Sequence, residues 1–133
     1  MIEKLTIDIH LSIEIKNDDV IAYVRFHNNT SVVVYLDTWT ICVDDIFSRN
    51  IFSIYDENDK HVLYTGMMAY RHVVPEDFIG LNPSESIMTK ITVNNGYKLI
   101  KGHKYSIRFC ANNPTYLDKQ KLDLWSNKVE ITY

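Results

Sequence analysis

The chain has 133 residues, a formal charge of -3 and 46% apolar residues, which fits one domain closing over a single core. A negative balance excludes a general binder of phosphate backbones, so nucleic acid is not an expected partner. No run approaches the roughly 20 apolar residues that cross a bilayer, and the opening MIEKLTIDIHLSIEIK has no uninterrupted apolar stretch of the signal-peptide kind; a soluble, cytoplasmic chain without membrane contact is expected.

Leu5, Ile7, Ile9, Leu11, Ile13 and Ile15 occupy successive odd positions with Thr6, Asp8, His10, Ser12 and Glu14 between them, a period of two that predicts a strand from Leu5 to Ile15. Lys16 to Asp19 supplies a turn, and Val20, Ala22, Val24 and Phe26 begin the next inward row. Ile21 and Tyr23 make its other face partly apolar, which suggests cover on both sides. His27 to Ser31 breaks the pattern. From Val32 to Val43 the apolar rows resume as one bent strand or two short ones, with Trp39, Ile41 and Val43 in a single row and Asp44-Asp45 closing it.

Ile51 to Tyr55 and His61 to Tyr64 flank the polar connection Asp56 to Lys60, as in a hairpin. Between Gly66 and Gly80 no period holds, and the expectation is a strand near Met68 to His72 followed by a long loop. The clearest stretch is Leu81 to Phe109. There a turn around Pro83, a strand with Ile87, Thr89, Ile91 and Val93 on one face, a turn at Gly102 and a strand with Tyr105, Ile107 and Phe109 on one face follow one another. Ala111 to Pro114 is expected to end that strand, and Thr115 to Leu124 to form a loop anchored by Trp125. Val129, Ile131 and Tyr133 then mark a terminal strand. Together these elements predict an all-β protein, an antiparallel immunoglobulin-like sandwich of about seven to nine strands in one domain.

The order of Tyr64-Thr65-Gly66, Tyr70, Phe78-Ile79-Gly80-Leu81-Asn82-Pro83-Ser84-Glu85-Ser86 and Gly102-His103-Lys104-Tyr105-Ser106-Ile107 resembles the β-sandwich domain that precedes the catalytic domain in the deuterolysin and peptidyl-Lys metalloendopeptidase family. In that family a Gly stands where this chain has Ser84, and one residue fewer separates the glycine from the tyrosine of the last motif. The resemblance covers the middle third of the chain. It implies a noncatalytic sandwich that contacts or restrains a peptidase.

Chemistry-bearing constellations are sparse. HExxH is absent, and His10, His27, His61, His72 and His103 have no ligand spacing, so neither metal nor cofactor is expected. Asp56-Glu57-Asn58-Asp59 lacks the glycine and distal glutamate of a calcium loop and reads as a solvated hairpin tip. Cys42 and Cys110 read as buried small hydrophobes, although their separation also suits an inter-sheet bridge. No catalytic residues are expected. The candidate partner-binding residues are Met67, Met68, Tyr70, Arg71, His72 and Phe78, with Asp44 and Asp45 offering negative charge to a basic partner. Tyr70 and Arg71 are the expected exposed anchors. The resulting expectation is a monomeric inhibitor or immunity-type partner that occludes a peptidase or toxin. The alternative is an assembly module pairing through edge strands at Leu5 to Ile15 or Val129 to Tyr133.

Overall fold

The computed structural model describes residues 3–133 and is all-β and sandwich-like. Nine strands follow in order among the described residues: β1 (Glu3–Leu5), β2 (Asp8–Lys16), β3 (Asp19–His27), β4 (Val34–Asp37), β5 (Phe52–Asp56), β6 (Phe78–Leu81), β7 (Ser86–Thr92), β8 (Lys104–Tyr116) and β9 (Gln120–Thr132). They form sheets ordered β1-β9-β8-β5, β2-β3-β7 and β4-β6. Every pairing is antiparallel except β1 with β9, a parallel exception to the expected arrangement.

The period-two rows decide which faces are buried. Val20, Ala22, Val24 and Phe26 of β3 are all fully buried, as are Ile107 and Phe109 of β8 and Leu122 and Leu124 of β9. Ile21 is buried too, so β3 is covered on both faces at that point. Phe109 ties the sheets together: its ring meets Phe26 edge-on at 5.4 Å and Phe52 at 5.7 Å. Such pairs add to a burial term of about 1.5–3 kcal/mol per large apolar side chain.

Carboxamides carry the ladder across gaps between strands, because a side-chain amide offers the same donor and acceptor as a peptide unit. Leu11 N–H donates to Asn127 Oδ1 (2.7 Å) and Asn127 Nδ2 donates to Leu11 O (3.0 Å), fastening β2 to β9. Gln120 makes the same double bond to Tyr35 N and Val33 O, Asn113 to Asp37 N and Tyr35 O, and Asn94 to Val20 N and Asp18 O. The Gln120 and Asn113 bonds fix β4 against the β8–β9 hairpin although no backbone ladder joins them.

Several expectations are corrected. The strand from Leu5 to Ile15 is interrupted at Thr6-Ile7, where the chain leaves β9 and joins β3. The strand from Val32 to Val43 stops at Asp37, since the Asp37 carboxylate accepts bonds from Trp39 N (3.4 Å), Thr40 N (3.1 Å) and Thr40 Oγ1 (2.6 Å) and turns the chain. His61 to Tyr64 makes only single bridges, Tyr55 to His61 and Tyr64 to Tyr97, in place of a hairpin arm. Met68 to His72 is not a strand; the sheet contact comes later, at β6, after a 3-10 turn at Pro75–Asp77. Thr115 to Leu124 is the end of one long hairpin, not a loop. Register shifts between Arg108 and Cys110 and between Asn113 and Tyr116 let β8 pass Pro114 without losing its partner. Trp125 anchors nothing inside and is exposed on the outer face.

At the turn before β7, Ser84 sits at φ 70°, in the left-handed region that favours glycine. Ser84 N–H donates to Asn28 O (2.8 Å) and Glu85 Oε1 accepts Asn82 N–H (2.7 Å), bonds that hold the turn in place.

Candidate functional site

Once Asp37 has turned the chain, the segment Thr38 to Ser48 is governed by side chains in place of a ladder. Ile41 and Phe47 enter the core, and Phe47 lies among the rings of Phe52, Tyr64 and Tyr97. Tyr97 is fully buried, and its hydroxyl accepts Ile51 N–H (3.1 Å) and Phe52 N–H (2.8 Å) while donating to Asn50 Oδ1. Cys42 and Asp45 adopt positive φ of 58° and 55°. Asp45 is held there, because Oδ1 accepts Thr92 N–H and Oδ2 accepts the Thr92 hydroxyl, both at 2.7 Å. With Ile41 and Phe47 turned inward, Trp39, Val43 and Ile46 are left outward, and Ile46 is 62% exposed.

The segment after Gly66 lies alongside. Ala69 N–H donates to Ser48 O at 3.0 Å, and the Tyr64 hydroxyl donates to Met67 O. Gly66 permits that approach, since a Cβ there would stand 2.7 Å from the Tyr64 ring. Between the two segments is a mainly apolar groove of about 440 Å³, lined by Trp39, Cys42, Val43, Ile46, Phe47 and Met67, with Asp44 also on its lining.

Arg71 secures this arrangement from beneath. Its guanidinium pairs with Oδ2 of the fully buried Asp37 and, at 3.0 Å, with Asp77 Oδ2, and it stacks over the Trp39 ring at 4.3 Å. Asp77 in turn accepts at its backbone oxygen from both Thr38 N and Thr38 Oγ1, each at 2.9 Å. This ion triad, buried at Asp37 and half-buried at Arg71 and Asp77, holds three chain segments at the cost of desolvating the Asp37 carboxylate.

The expected partner-binding residues therefore separate into groups. Asp44 and Met67 line the groove, and Met68, Tyr70 and His72 are exposed on the adjoining segment, Tyr70 at 94%. Arg71 is corrected from exposed anchor to internal clamp, because two carboxylates draw its head inward. Asp45 spends both carboxylate oxygens on Thr92. Phe78 belongs to β6 and packs edge-on against Tyr116 at 5.1 Å, away from the groove lining. Trp39 and Val43 were missed as outward groups because they share a period-two row with Ile41 that imitates a strand, and Ile46 lay in a stretch with no period to read. Asp37 gave no sequence signal, since its value lies in a partner 34 residues away.

Cys42 and Cys110 are both free. Burial, reinforced by the Asp45 and Asp44 charges, pushes the Cys42 thiol up to about 12, and the thiol donates to Ile46 O at 3.4 Å. Burial therefore favours the protonated thiol at neutral pH. In the polar turn after β5, Asp56 Oδ1 accepts Asn58 N–H (2.8 Å) and Lys60 N–H (3.0 Å), closing its own turn. Among the described residues no group of three or more His, Cys, Asp or Glu side chains is placed to hold a metal ion, and no helix is long and apolar enough to cross a membrane.

Comparison with the models of known protein families and with curated proteins finds no match for this chain.

Proposed function

We propose that this chain is a noncatalytic protein-binding module that seats an apolar, basic-flanked segment of another protein in the groove between Thr38–Ser48 and Met67–Ala69. The observation that carries this reading is the row of outward apolar side chains, Trp39, Val43, Ile46, Met67 and Met68, held over a floor fixed by Ile41, Phe47 and the Arg71 triad. Apolar groups held around a concavity attract an apolar counterpart from a partner, and their fixed position lowers the ordering cost of binding. Asp44 is exposed and makes no ion pair among the described residues, and Glu76 stands exposed in the turn that carries Asp77. Those charges favour a basic flank.

The resemblance of the turn motifs to the deuterolysin sandwich favours a peptidase as the partner, with a toxin as the other class and occlusion of the partner's cleft as the mechanism. The test compares proteins retained from the native source by the wild-type chain and by an Ile46→Asp, Met67→Asp double variant, followed by reconstitution with the purified protein. A partner that binds wild type and loses affinity for the variant by about a hundredfold, as removal of a central apolar contact costs, supports the groove. Equal retention by a folded variant overturns it.

An assembly module pairing through edge strands is less favoured. The backbone of Leu11, at the middle of β2, is already bonded to Asn127. Light scattering separates the two readings: a stable homo-oligomer that persists in the groove variant would favour assembly.

A further inference from the structure

A second hollow, of about 620 Å³, opens on the outer face of β5, β8 and β9 and shares no lining residue with the groove. Here the register puts Arg108 directly opposite Lys128 on one side and Ser53 on the other. Two cations facing each other across a ladder, with Cβ atoms about 5 Å apart, repel and weaken the sheet. Neither forms an ion pair among the described residues, although Glu130 lies two residues beyond Lys128 on the same face. Arg108 Nε is shielded from solvent and has no hydrogen-bond partner, a state that costs free energy unless an acceptor arrives.

The guanidinium is nonetheless kept in one place. Its carbon lies 5.6 Å from the centre of the exposed Trp125 ring. The register shift between Arg108 and Cys110 makes Trp125 the partner of Cys110, so that the indole falls next to Arg108. Phe109 N–H, freed from the ladder by that bulge, donates to Ser126 Oγ at 2.9 Å. Bulges recur where a side chain has to be re-aimed. The next row along the sheet, Tyr55, Ser106 and Glu130, adds two hydroxyls and a carboxylate.

We propose that this hollow binds a carboxylate ligand, with the Arg108 fork and the Lys128 ammonium sharing the anion and the Ser53 hydroxyl able to donate. A planar fork beside a point cation matches a carboxylate. Lys104 adds a third cation to the lining, Glu57 is paired with His103, and the remaining carboxylates Asp56, Asp59 and Glu130 weigh against a ligand of several negative charges, so a single negative charge is favoured over a phosphate chain. The carboxylate belongs either to a small free acid or to the C-terminus of a peptide.

The test uses the full chain, isotopically labelled, with NMR detection of the Trp125 indole and the Arg108 Nε–H. The probes are acetate, N-acetyl-glycyl-glycine, its C-terminal amide and inorganic phosphate. The free-acid peptide is expected to shift both resonances saturably, and the amide to leave them unmoved. Acetate saturating as readily as the peptide assigns the site to a small acid, and tighter peptide binding assigns it to a chain terminus. Arg108→Gln is expected to weaken the free-acid peptide by about tenfold or more, as loss of a charged hydrogen bond does. Lys128 is exposed, so its replacement leaves the fold intact. Lys128→Glu is expected to raise the melting temperature by removing the repulsion while abolishing the shifts. Absence of saturable shifts, binding that survives Lys128→Glu, a lower melting temperature in that variant, or phosphate binding tighter than the free acid overturns the assignment.

Discussion

In the β8–β9 hairpin, ladder bonds to a facing strand hold the chain from Lys104 to Arg108 residue by residue, whereas from Thr38 to Ser48 it is held by Asp37, Asp45, Arg71 and two inserted apolar side chains. Yet both regions present an open hollow. In the hairpin the hollow is polar, because alternation sends every second side chain outward and those positions carry Lys, Ser, Arg and Glu. In the turn region it is apolar, because the chain reverses over its own buried residues and has more hydrophobic groups than inward places for them. A ladder fixes position through the backbone and leaves the outer side chains free. An irregular segment must spend its polar side chains on holding itself together, which leaves apolar ones outside.

Three measurements break or sharpen that contrast. Phe109→Ala removes the ring that joins Phe26 and Phe52 and is expected to cost about 4 kcal/mol in urea unfolding, lowering the stability of the whole molecule. Amide exchange in such a variant should quicken in both regions alike. A loss confined to the hairpin would show that the sheets do not unfold as one unit.

Asp37→Asn leaves the shape but removes the charge facing Arg71, at an expected cost of about 3 kcal/mol. Its signature is local: amides from Thr38 to Ser48 and around Met67 to Arg71 should exchange faster than those of β8 and β9. Equal protection in both places would mean that Asp77 alone suffices to hold Arg71.

The third measurement is stability at alkaline pH. Burial raises the Cys42 thiol from 9.0 to about 12 and the Tyr97 hydroxyl from 10.0 to about 12. Both folded values lie above the unfolded ones, so the fold favours the protonated forms. The corresponding stability is fully present below pH 9 and is lost as pH rises from about 9 to about 12. Urea midpoints should decline across that window, with Tyr97 and Cys42 exposing the groove floor as they ionise. A flat profile would show that water already reaches both groups in the folded protein.

The strands with regular alternation were legible because their signal is local. Leu5 to Ile15, although broken at Thr6-Ile7, and Val20 to Phe26, Ile87 to Val93 and Tyr105 to Phe109 bury the rows that their own sequence marks, with Leu5, Ile13 and Ile87 half-buried and Ile15 exposed at the rim. The same rule misled at Trp39, Ile41 and Val43, where a turn happens to repeat every second residue, and it failed at Thr115 to Leu124, where Pro114 reads as a stop but lies in a bulged strand. The groove was legible only in part. Met67 and Asp44 stood out by residue type, while Val43 read as part of a strand row and Ile46 lay in a stretch without a period.

The sequence by itself determined an all-β chain, because period-two alternation and turn chemistry act between neighbours in the chain and need nothing distant to take effect. Tertiary structure alone decided that β1 runs parallel to β9, that Asp37 meets Arg71 and that Arg108 faces Lys128. Each of those depends on register and on partners many residues away. One chain can satisfy its local preferences in several pairings, and only closure of the shared core selects among them.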